Sequence, residues 1–107
     1  MEQTPKQKKL SKDWYAKTKR WSADEWIGVI NTIKDPLQRN RVAAVVWWDH
    51  SQRRDDLLPI LDMCRDFIEE RDGEPLTSEQ LAEGLRKVGY PEHLIADRSR
   101  TRSKKTH

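Results

Sequence analysis

Few side chains in this sequence could carry chemistry: the adjacent pair Asp49 and His50, then Cys64 and His93. Brought together in space, they would make either a metal site or a nucleophile with its base. Their spacing supports neither. Zinc held on one helix needs ligands four residues apart, as in H-x-x-x-H, and a catalytic thiolate needs a neighbouring base and an oxyanion donor. Cys64 is the only cysteine, which excludes an intramolecular disulfide and a cysteine-built zinc site within one chain. Cys64 therefore reads as a packing residue, and His50 as the polar end of a helix, where a partial positive charge suits the C-terminus. Asp62 and Asp66 are i, i+4 neighbours and, with Glu69 and Glu70, form an acidic run. Arg53, Arg54, Arg65 and Arg71 offset much of it, and no phosphate or calcium loop motif accompanies it, so it reads as a solvated face. No catalytic residue, metal or cofactor is expected.

Charge distribution says more. Residues 1–20 hold seven Lys or Arg against Glu2 and Asp13, and residues 98–107 hold five against no acid, so each end is +5. The whole chain is +3, which leaves residues 21–97 at −7. The sequence thus describes an acidic body, 21–97, between a basic N-terminal arm, 1–20, with part of it open to a helical reading, and a basic, disordered tail, 98–107. In the N-terminal arm Lys8, Lys9, Lys12, Lys17, Lys19 and Arg20 are interleaved with Trp14 and Tyr15. Cations between aromatics suit single-stranded nucleic acid, with phosphates on the cations and bases on the rings; the same rings would alternatively dock the segment on the core. The tail carries Arg98, Arg100, Arg102, Lys104 and Lys105 and no aromatic residue. It reads as a polycation attracted to phosphates or to an acidic protein, independent of sequence.

These features must be positioned by helices. Ser22 with Glu25 makes a capping box, Trp21 is placed to staple it, and Trp26, Ile27, Ile30 and Ile33 keep one helical face up to Asp35-Pro36. Asp35 then caps a second helix with Pro36 in its first turn. That helix carries the run VAAVVWWDH, whose continuous apolar character marks it as central and covered on several sides. Trp47 and Trp48 point about 100° apart, so at least one must reach another helix or the surface. Replacing the more buried of the two should destabilise the fold sharply, whereas replacing His50 should matter little.

A third helix, from about Asp55 to Arg71, shows the stripe Leu57, Leu61, Cys64 and Ile68, widened by Leu58, Ile60 and Phe67, with Pro59 tolerable only in its first turn. Asp72-Gly73 would end it. Thr77 with Gln80 caps a fourth helix with the stripe Leu81, Leu85 and Val88, terminated by Gly89; a short fifth starts at Pro91. Helix, glycine turn, helix is the outline of a DNA reader, but Glu92 and Asp97 stand where such a reader wants Arg, Asn or Gln.

The expected fold is all-α: a compact bundle of four to five short helices with basic, partly disordered N- and C-terminal arms. With 107 residues, one domain is expected. The lone cysteine, the lack of an apolar run of about 18–20 residues and the lack of a secretory leader predict a cytoplasmic protein with no membrane association. Two non-enzymatic functions fit. The first is a binding or regulatory protein attached to nucleic acid, or to an acidic or nucleoprotein partner, by salt-sensitive contacts of the arms. The second is a protein-interaction module, whether inhibitor, adaptor or homodimer, using Trp47 or Trp48 or the acidic face of Asp62, Asp66, Glu69 and Glu70.

Overall fold

The computed structural model describes residues 3–64, 70–71 and 74–99. In these, six α-helices follow in order: α1 (Pro5–Thr18), α2 (Ala23–Ile30), α3 (Pro36–His50), α4 (Leu58–Met63), α5 (Ser78–Lys87) and α6 (Glu92–Ser99). Two 3-10 turns, Ser51–Arg53 and Asp55–Leu57, join α3 to α4. The two-residue strands β1 (Glu70–Arg71) and β2 (Glu74–Pro75) form a small antiparallel pair before α5. The all-helical architecture is as expected, with more helices than the sequence reading counted.

The additional helix is α1, which occupies most of the expected N-terminal arm. Its start is written in the sequence: Thr4 Oγ accepts from the Gln7 backbone while the Gln7 side chain accepts from Thr4 N, with Pro5 in the first turn. At its other end, Arg54 donates to the carbonyl oxygens of Lys19 and Trp21, satisfying acceptors that a helix end leaves open.

The α2 box forms as read. Ser22 and Glu25 cap each other's backbone groups, and the Trp21 and Trp26 rings meet at 4.6 Å across the first turn, which is the hydrophobic staple. The helix ends earlier than Asp35-Pro36, at Ile30. Ile33 is fully buried from the connecting segment. Asp35 holds the N-cap position of α3, but its side chain does not make the capping hydrogen bond.

Helix α3 is central, packed against α2, α4 and α5. Gln38 donates to the Gln80 carbonyl of α5, and Asn40 to the Met63 carbonyl of α4 (3.2 Å). Close approach to α5 is made possible by Gly84: a Cβ there would sit 2.6 Å from Val42 Cγ2. Helix α5 has the expected Thr77–Gln80 box. It closes in a full Schellman turn: Gly89 takes φ +98°, Gly89 N donates to the Arg86 carbonyl, and Tyr90 N donates to the Leu85 carbonyl.

The third helix of the sequence reading is corrected. A 3-10 turn replaces its first residues, Pro59 does fall in the first turn of the α-helical part, and the helix stops at Met63. Leu57 and Ile60 are fully buried, whereas Leu58, expected in the stripe, is 53% exposed. Glu70 and Arg71 belong to β1, not to a helix. Phe67, Ile68, Asp66, Glu69 and the Asp72-Gly73 stop lie outside the described residues.

Candidate functional site: a cationic helix face

The period of α1 sorts its residues. Gln7, Ser11, Trp14, Tyr15 and Thr18 recur at helical spacing on the side toward the body, Trp14 and Thr18 being buried, while Lys6, Lys8, Lys9, Lys12, Lys17, Lys19 and Arg20 are all exposed. One carboxylate intrudes on that surface: Asp13 pairs with Lys9 at 3.0 Å. Lys17 lies over the Trp21 ring, 5.9 Å from its centroid. The result is a helical basic ridge along most of the expected arm.

Besides the bond from Arg54 to the Lys19 carbonyl, three contacts hold the ridge to the body. Trp14, 6% exposed, is the hub of the first: its ring centroid lies 4.2 Å from Tyr90, 5.3 Å from His50 and 6.3 Å from Trp26. The second is polar. Asp49, at the end of α3, accepts from Tyr90 Oη at 2.7 Å and from Arg98 Nε and Nη2 at 3.1 Å, and Arg98 Nη2 also donates to Tyr15 Oη. This set joins α1, α3, α6 and the α5–α6 turn. Burial would lower the Arg98 pKa, but the hydrogen bond and charge of Asp49, with help from Tyr15, raise it, so the guanidinium stays charged. Burial, and then the neighbouring Asp49 charge, raise the Tyr90 pKa well above its usual value and keep the phenol a donor. In the third contact Ser11 Oγ and His93 Nε2 lie 2.6 Å apart between α1 and α6, and Ser11 also donates to Gln3 Oε1.

Several expected site residues take different roles here. Trp14 and Tyr15, expected as base-stacking rings or as docking residues, face the body. Arg98, expected in a free tail, belongs to α6 and is committed to Asp49. His50, expected as a polar helix end with a partial positive charge, is only 8% exposed among Trp14, Tyr15 and Trp26; burial pushes its pKa down to about 4, which leaves the ring neutral near pH 7. Asp49 is a structural anchor, and Cys64 bonds the turn before it through the Ile60 and Leu61 carbonyls. Arg100, Arg102, Lys104 and Lys105 lie outside the described residues.

On the protein-interaction side, Trp48 is 69% exposed and Trp47 is half-buried against the core. Asp62 is exposed on α4. Lys6 belongs to the basic ridge although aromatic interleaving did not single it out; the helical period from Thr4 would have included it. Among the described residues, no group of three His, Cys, Asp or Glu side chains is placed to hold a metal, and no helix is long and apolar enough to cross a membrane. No family model, curated protein or solved structure matches the chain.

Proposed function

We propose that this is a non-enzymatic binding protein that attaches to nucleic acid, or to a nucleoprotein complex, through the outer face of α1 and the basic residues beyond α6. The observation carrying this reading is the division of α1: its aromatic side chains are taken up by the body, leaving an exposed face with Lys6, Lys8, Lys9, Lys12 and Lys17 against the single acid Asp13, with Leu10 and Ala16 between them. Such a surface gains affinity by displacing counterions from phosphates, so binding must weaken steeply with salt. The four cations of residues 100–107 add to it; Arg98 does not, because Asp49 already holds it. Titrating a nucleic acid at about 50 mM and about 200 mM salt tests the reading, with an expected affinity loss on the order of a hundredfold or more. Absence of binding at the lower salt, or an affinity unchanged by deleting residues 100–107, contradicts it.

A second reading is favoured by Trp48. An indole this exposed on the central helix is the type of side chain that anchors protein interfaces. Under that reading, Trp48→Ala abolishes capture of a protein partner or self-association seen by light scattering, and leaves nucleic-acid affinity as it was.

A further inference from the structure

We infer that the nucleic acid fitted by α1 is B-form double-stranded DNA, bound across a groove without base recognition. This rests on the nucleic-acid reading of α1 and names its substrate class. Sequence-tolerant binding of single strands relies on exposed rings on which bases stack. The rings of α1 are not available for that: Trp14 is buried, and Tyr15 is packed against Trp14 and His50 with its hydroxyl on Arg98.

The cations are also distributed in a way that suits two strands. At about 100° per residue, Lys8 and Lys12 fall on one flank of the exposed arc of α1, Lys6 and Lys17 on the opposite flank, and Lys9 on the crest between them. A single strand can follow only one flank. A duplex groove presents phosphates on both walls, and the B-DNA major groove, about 12 Å wide, admits a helix about 10–12 Å across. The deep, narrow major groove of A-form RNA does not. At the crest, Lys9 is paired with Asp13. Within α1 the crest carries Lys9 and Ala16 and no Asn, Gln or Arg that would read base edges, so contacts from the helix are to the backbone; Arg20, also exposed, lies past the helix end.

The test uses the full chain in fluorescence anisotropy with a mixed-sequence DNA duplex of about 20 base pairs, its single strand, and the matching RNA duplex, over a range of salt. The DNA duplex should bind about tenfold or more tighter than either alternative, with little change on shuffling its sequence. Lys8→Ala/Lys12→Ala on one flank and Lys6→Ala/Lys17→Ala on the other should each lower the salt slope by about 2, with circular dichroism unchanged. Equal or tighter binding of single strands or RNA, a preference for one sequence, or loss from one flank alone overturns the duplex inference while leaving phosphate binding by α1 in place. Failure to bind any of the three probes overturns the underlying reading itself.

Discussion

Arg98 and Asp49 form a partly buried ion pair, the carboxylate 5% and the Arg98 side chain 23% exposed, with both Nε and Nη2 at 3.1 Å and Arg98 Nη1 on Asp97. The pair joins the last helix to the end of the central one, and through Tyr15 it reaches α1. Removing one partner strands a buried charge, so Arg98→Ala should destabilise the protein by about 3 kcal/mol in urea denaturation. Replacing both residues together with apolar side chains should recover only part of that loss, because the buried Tyr90 hydroxyl then loses its acceptor. A loss below about 0.5 kcal/mol for the single change would show that the pair contributes no more than a surface salt bridge.

The aromatic cluster predicts which tryptophan matters most. Trp14→Ala removes a ring that touches Tyr15, Trp26, His50 and Tyr90, and should cost about 3–5 kcal/mol through lost burial and the cavity left behind. Trp48→Ala should change stability by about 0.5 kcal/mol or less, its ring being largely in solvent. Thermal melts of the two variants check the contrast, and comparable losses would contradict it.

His50 gives the fold a pH dependence. Its folded pKa of about 4 lies below the 6.5 of the free side chain, chiefly from burial, with Arg54 and Arg98 acting in the same direction and Asp49 against them. The unfolded chain therefore binds this proton more readily. The contribution is fully present above about pH 6.5, is lost as pH falls toward about 4, and amounts to on the order of 3 kcal/mol. Comparing wild type with His50→Phe at pH 7 and pH 5 isolates it: the difference between the two proteins should shift in favour of the variant at pH 5. A pH-independent difference would mean that His50 is solvated. A ring this buried among aromatics makes His50→Ala a cavity-forming change, which should lower the melting temperature.

At Gly84, the usual effect of a substitution should reverse. Glycine inside a helix normally costs about 1 kcal/mol relative to alanine. Here the added Cβ would stand 2.6 Å from Val42 Cγ2 and 2.9 Å from Gln38 Cγ, at the α3–α5 contact. Overpacking of about 1–3 kcal/mol should outweigh the propensity gain, making Gly84→Ala less stable than wild type by denaturant melts. A more stable variant would show that α3 and α5 can move apart freely.

What could be read from the sequence was local. The boxes Ser22–Glu25 and Thr77–Gln80, the stop at Gly89 and the central position of α3 all depend on residues within a turn or two of each other, and all form. Thr4-Pro5-Lys6-Gln7 carries the same capping signal, but in a segment this dense in charge it stands out less than the charge itself, so the full extent of α1 is less legible than its basic character. The Asp49, Arg98, Tyr15 and Tyr90 set was not legible, since its members come together only when four separate parts of the chain pack. The third helix was over-extended because an apolar stripe does not distinguish a 3-10 turn followed by a short helix from one long helix.

The central claim is that the exposed cations of α1 meet phosphates. The most direct measurement is the slope of log affinity against log salt for a DNA duplex, comparing wild type with Lys8→Gln/Lys12→Gln/Lys19→Gln. All three side chains are exposed, so the variant should melt as wild type does. The account predicts that the slope falls by about 3, close to 0.9 per lost phosphate contact, with weaker binding at every salt concentration. An unchanged slope and affinity in a folded triple variant would contradict it.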